Sequence, residues 1–237
     1  MSGFKWARDL NGSPNAMLRD FYIPAATVVV KGEPLYFTPG TGLVKLSEAE
    51  CEDFDVPPLC VANRGHDGST TGYDTGLKLE CSYSPTAVYK YNTMGLNYIL
   101  TGGSTTTAVV GGLLPATNSI WKGGKIRIVS CAADSTLNGR ICTISDSTGG
   151  TGTLTLGETL PAALAVGDTI NIVPGPLMDD TVGYDLWYNN TLASGGVAGC
   201  EIDFTGLAGG NKCLRILYSN PDTFDVFVMF EQSVRLS

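Results

Sequence analysis

Four stretches of alternating residues, each closed by a turn, dominate the middle of this chain. Residues 125–130, 140–145, 152–156 and 168–173 each carry one apolar face: Ile126 and Ile128, Ile141 and Thr143, Leu154 and Leu156, Ile170 and Ile172. Side chains on a strand point to opposite faces in turn, so this spacing marks half-buried strands and is hard to reconcile with helices. The connecting segments, Asn138-Gly139, Thr148-Gly149-Gly150 and Pro161 to Gly167, are turn chemistry. Four strands so spaced predict a compact antiparallel meander. With Gly 30 and Pro 12 among 237 residues, such punctuation extends through the whole chain. The expectation is an all-β protein of two or three small antiparallel β-barrel or sandwich units with an extended N-terminal arm.

The flanking segments repeat the pattern less regularly. Residues 26–30 are β-branched, Lys31-Gly32-Glu33-Pro34 reads as a turn, and apolar runs resume at 35–37 and, after Pro39-Gly40-Thr41-Gly42, at 43–46. Leu77, Leu79, Cys81 and Tyr83 alternate with Lys78, Glu80 and Ser82, a half-buried strand. Ser47, with Glu50 three residues on, has the spacing of a capping box and predicts one helical turn. Residues 24–100 are accordingly read as a β-roll or barrel domain. Two Gly-Gly pairs around a threonine run make 101–120 a linker by composition, and 121–175 the four-stranded module. Strands are expected at 199–204, 213–218 and 223–231, with Asn220-Pro221-Asp222 as a hairpin turn, in a segment 176–237 that packs back on the first domain. In the last of these, Phe224, Val226, Val228 and Phe230 share one face and Phe227 and Met229 the other, which predicts cover on both sides. Residues 1–23 show no period. They form the arm, with one short helical turn expected at 18–21.

Composition narrows the functional classes. Charged residues are 16% and hydrophobic residues 43%, the reverse of a disordered chain. A formal charge of −8 argues against a nucleic-acid partner, which would need Lys and Arg to neutralise phosphates. No apolar stretch approaches the ~20 residues of a membrane span, so no membrane partner is expected. Lys5, Arg8 and Asp9 are not followed by an apolar run, so the N-terminus is not expected to be a secretory signal. The seven cysteines form no Cys-x-x-Cys pair and His66 is the sole histidine, which leaves no zinc-ligand spacing. Their odd number suggests reduced thiols in a cytoplasm, with Cys81, Cys142 and Cys200 as small apolar strand residues.

Candidate chemistry is sparse. Gly123-Gly124-Lys125 lacks the earlier glycine and the following hydroxyl of a phosphate loop, and reads as a hairpin turn. Any Ser-His-Asp or Cys-His system would have to use His66, which sits in a polar, glycine-flanked stretch where an exposed imidazole is the ordinary outcome. Acidic residues gather at Glu50, Glu52, Asp53 and Asp55 and again at Asp179, Asp180 and Asp185. Without the spacing of a glycosidase pair or a calcium loop, they read as solvated turns. No enzyme activity, cofactor or metal is therefore expected. Tyr36, Tyr89, Tyr91, Tyr98, Trp187 and Tyr188 remain as aromatics able to stack on a glycan or pack on a partner.

Two stretches resemble a known family. Val28-Val29-Val30-Lys31-Gly32-Glu33-Pro34-Leu35-Tyr36, then Leu59-Cys60-Val61-Ala62 and Gly76-Leu77-Lys78-Leu79, resemble the auxiliary capsid proteins that decorate tailed bacteriophages. In those, a Val-x-Lys-Gly-(Asp/Glu) hairpin precedes a strand ending in Val-Ala and a strand opened by glycine. Leu137-Asn138-Gly139-Arg140, the run from Ile144 to Leu156, Leu160-Pro161 and Ala165-Val166-Gly167-Asp168-Thr169 are similar to modules of phage virion proteins. The resemblance implies a cement protein on the outer capsid surface, assembled in the host cytoplasm, without catalytic residues. It would be a homotrimer that bridges major capsid subunits. An aromatic-bearing arm suits such attachment, and Lys5, Trp6, Arg8, Leu10, Arg19, Phe21 and Tyr22 are the candidate partner-binding residues. The alternative is a fibre or lectin-like module of the virion with a glycan as partner.

Overall fold

The computed structural model describes residues 4–9, 18–24, 27–38, 42–45, 60–67, 78–84, 86–113, 118–176, 183–189, 199–205 and 214–230. Its strands follow in chain order. The first part of the chain supplies β1 (Lys5–Asp9), β2 (Leu18–Tyr22), β3 (Val28–Val29), β4 (Pro34–Thr38), β5 (Gly42–Lys45), β6 (Cys60–Ala62), β7 (His66–Asp67), β8 (Lys78–Ser82) and β9 (Ala87–Asn92). The middle supplies β10 (Tyr98–Ile99), β11 (Gly102–Gly103), β12 (Thr107–Val109), β13 (Lys125–Ser130), β14 (Ile141–Thr148), β15 (Thr153–Leu156) and β16 (Thr169–Val173). The last four are β17 (Gly183–Asn189), β18 (Gly199–Asp203), β19 (Leu214–Asn220) and β20 (Asp225–Phe230). The protein is all-β with antiparallel sheets. The only helical turns among the described residues are 3₁₀ turns at Thr93–Gly95 and Ser135–Leu137.

Three sheets and a small ladder organise these strands. One sheet runs β2-β8-β6-β4-β5, the second β1-β9-β20-β19-β17-β18, and the third, a curled half-barrel, β10-β16-β13-β14-β15-β12-β11. Strands β3 and β7 pair separately. The five-stranded sheet bends until β5 returns to β2. A Cβ at Gly42 would lie 2.7 Å from the Tyr22 carbonyl oxygen, at a φ of +102° that only glycine adopts easily. Inside this small barrel lie Ile23, Val29, Leu35, Cys60, Ala62, Leu79 and Cys81.

The larger core is shared by the other two sheets. Ile126, Ile128, Ile144, Leu154, Ile170 and Ile172 point inward from the half-barrel to meet Tyr89, Tyr91, Ile216, Val226 and Val228 of the six-stranded sheet. Trp121 stands edge-on to Phe204 between them, ring centroids 5.3 Å apart. Val61 faces this core from the barrel, and the Tyr89 hydroxyl donates to the Ser82 carbonyl at 3.1 Å, so the barrel is fastened to the larger unit.

Several expectations are corrected. The stretch read as a linker contributes β11 and β12, which extend the half-barrel by pairing onto β15. Its glycines read as linker composition, but a Cβ at Gly103 would lie 2.8 Å from the Leu164 carbonyl oxygen, so glycine is there for close approach. The four central strands are not a meander. β16 returns to lie between β13 and β10 instead of beside β15, because Asn171 and Val173 on its second face are buried as fully as Ile170 and Ile172. Residues 18–21 belong to strand β2 instead of a helical turn. A single turn supplies too few hydrogen bonds to compete with a five-residue ladder. The helical turn expected from Ser47 and Glu50 lies outside the described residues. At the other end, β20 is central, between β9 and β19, with Val226 opposite Tyr91 and Val228 opposite both Tyr89 and Ile216.

Candidate functional site

The described residues of the arm form two strands that sit on different sheets. Strand β1 forms one edge of the six-stranded sheet, against β9, and β2 one edge of the barrel sheet, against β8. A bulge between Trp6 and Arg8 resets the alternation. Lys5, opposite Lys90, and Arg8, opposite Val88, therefore share the outer face, while Trp6, opposite Tyr89, packs against the core. Phe4, just before β1, is buried between Tyr91 and Phe230, at centroid distances of 4.9 and 5.3 Å. Asp9 closes the strand. Its carboxylate is buried and accepts hydrogen bonds from the hydroxyls of Ser84, at 2.9 Å, and Thr86, at 2.5 Å.

On the outer face the charges meet aromatic rings. The Arg8 guanidinium lies 5.4 Å from the Tyr218 ring centroid, and Tyr218 stacks on Phe227 at 4.2 Å. Lys90, opposite Phe227, reaches the Asp225 carboxylate at 3.5 Å. Burial works to raise the Asp225 carboxyl, but hydrogen bonds from Thr223 and Asn92 and the Lys90 ammonium outweigh it and hold the group below the usual carboxylate range. Met229 and Arg215 lie opposite one another on the same face. The result is a cationic, half-exposed aromatic surface on a chain of net negative charge.

Strand β2 presents the complementary character. Phe21 packs against the barrel interior, and Arg19, on the same strand face but exposed, holds its guanidinium 5.7 Å from the Phe21 ring and 5.8 Å from Tyr83. Leu18, Asp20 and Tyr22 turn outward, and the two apolar residues are 53% and 58% exposed. Asp20 stands directly opposite Glu80. The Lys78 ammonium, opposite Tyr22, lies 5.4 Å from its ring instead of bridging those carboxylates. Of the candidate arm residues, the structure thus places Lys5 and Arg8 on one surface and Tyr22 on another, with Trp6 and Phe21 packed against the cores. Leu10 lies outside the described residues.

The other candidates are dispersed. His66 lies in β7 opposite Val29 and is half-buried, not in the open loop its glycine neighbours suggested. Tyr89, Tyr91 and Tyr98 are core residues and cannot stack on a glycan, and Tyr36 packs against the same core. Asp185, Trp187 and Tyr188 fall in β17, of which only the backbone is described. Glu50, Glu52, Asp53, Asp55, Asp179 and Asp180 lie outside the described residues. Among the described residues no group of three or more His, Cys, Asp or Glu side chains is arranged to hold a metal ion. Cys60, Cys81, Cys131 and Cys142 are buried free thiols. The Cys60 thiol shares a hydrogen bond with Cys81 inside the barrel and is pushed far above its ordinary value, which leaves it protonated and unreactive. Cys142, desolvated and beside Glu158, is pushed up to about 11. Lys31-Gly32-Glu33 forms the tight link between β3 and β4, with Gly32 at φ +86° and the buried Glu33 carboxylate accepting from the Val30 amide at 2.8 Å.

No protein-family model matches this chain, and no curated protein or solved structure matches it.

Proposed function

We propose that this chain is a non-enzymatic virion protein that decorates and stabilises a phage capsid, bridging major capsid subunits as a homotrimer on the outer surface. The observation that carries the reading is how the resembling segments meet. The stretches around Leu35, Cys60 to Ala62 and Lys78 to Leu79, far apart in sequence, supply β4, β6 and β8 of one small barrel, with β6 between the other two. The arm completes that barrel through β2 and carries a second strand to the six-stranded sheet, so attachment surfaces of both charge signs sit on arm strands. A repeating shell multiplies weak contacts into firm attachment.

Co-sedimentation with expanded, DNA-free heads tests this. Deleting the whole arm would uncover the sites of Phe4 and Trp6, so point variants on its outer faces are the cleaner probes. The expectation is that the wild-type protein pellets with heads while R8E and Y22A lose about tenfold or more in affinity, the scale of an interface anchor. A wild-type protein that stays in the supernatant at every head concentration would dismiss the proposal.

A further inference from the structure

Two oddities of register point in one direction. In antiparallel sheets, like charges placed directly opposite are unfavourable. Yet both arm strands carry such a pair: Lys5 faces Lys90 across β1 and β9, and Asp20 faces Glu80 across β2 and β8. Asp225 reaches Lys90, but among the described residues no carboxylate pairs with Lys5 and no cation with Asp20 or Glu80. The pairs have opposite sign and sit on exposed faces of different sheets, each beside apolar surface. Tyr218, Phe227 and Met229 accompany the lysines on their sheet face, and Leu18 and Tyr22 flank Asp20.

We propose that the chain self-associates head to tail, the Lys5–Lys90 face of one copy receiving the Asp20–Glu80 edge of the next. The occupant is a second copy because this chain itself carries the matching charges and the matching apolar flanks. A surface that meets a different surface of its neighbour is heterologous, and such contacts close into rings or run on as filaments. Arg8 extends the cationic side of the contact. The inference rests on the self-association part of the proposed function and needs no shell.

Sedimentation velocity on the purified protein, with no heads present, separates the two ideas. Wild-type protein should form oligomers that weaken as salt rises, since exposed charges are screened. K5E and D20K each turn a like pair into an opposite pair within the chain. Each variant should therefore melt no lower than wild type, yet associate at least about tenfold more weakly, the loss of one interfacial charge contact. An equimolar mixture of the two should regain association, because the native lysine face of D20K meets the native acidic edge of K5E while the two altered pairs complement one another. Wild-type protein that is monomeric, variants that associate as wild type does, or a mixture that stays as weak as its components would each overturn the proposal. If heads are bound while any of these holds, only the self-association fails.

Discussion

Phe224 shows what one residue can be made to tolerate. Its φ of +56° is a backbone state that bulky residues avoid, and it closes the turn between β19 and β20. The side chain is fully buried, and the Phe224 carbonyl accepts from both the Thr93 amide, at 2.8 Å, and the Thr93 hydroxyl, at 3.2 Å. Core insertion on one side and two hydrogen bonds on the other hold the strained state. F224A should cost about 3–5 kcal/mol, the range for emptying an aromatic core site. F224G should be no worse, although glycine leaves the unfolded chain more freedom than alanine, because here it removes the strain. Urea denaturation midpoints of the two variants would show the order. Asp9 is the corresponding fastener of the arm. D9A leaves the Ser84 and Thr86 hydroxyls without their acceptor and should destabilise by about 2 kcal/mol. Neither role was visible beforehand: Phe224 read as one more residue of an alternating face, and Asp9 as an arm charge.

At the scale of elements, the hairpin of β19 and β20 depends on a carboxylate. Asp225 is held below the ordinary range when folded, so it contributes stability that is complete above its unfolded pKa and disappears as pH falls through the folded one. Wild-type protein should therefore lose melting temperature below about pH 4, the ordinary aspartate value. D225N should be less stable near neutrality and flatter in that acid window, and thermal melts of both at a series of pH values would show it. The elements that were legible are those with local alternation. β13 lies where alternation put it, β8, β15 and β16 agree to within one residue at each end, and β14 runs on to Thr148. Arg8 was legible as a charge but not as a neighbour of Lys5, because the bulge that unites them leaves no mark in the sequence. β11 and β12 were read as linker because glycine and threonine signal flexibility and strand alike. Which strands adjoin, and hence both like-charge pairs, depends on register between distant segments, which no single-chain periodicity encodes.

For the whole molecule, the unequal cores set an order of stability. Among the described residues, the half-barrel and six-stranded sheet share one large interior, while the barrel encloses a small one. Regions with few buried apolar contacts open first. Hydrogen exchange should accordingly be slowest in β13, β16 and β20 and faster in β4 and β8, and the reverse order would contradict a shared central core. Strand β9 carries a further consequence. It pairs on one side with residues 5–9 and on the other with residues 225–228, so segments more than 200 positions apart in the chain flank it. Emergence from the ribosome, at about 5–20 residues per second, presents the first of these many seconds before the last. Until then β9 has an open flank, and its nascent neighbours are exposed to mispairing. Completion of this sheet should hence wait on its late strand, be slow as topologies with distant pairings are, and be sensitive to whichever chaperones shield an unfinished sheet.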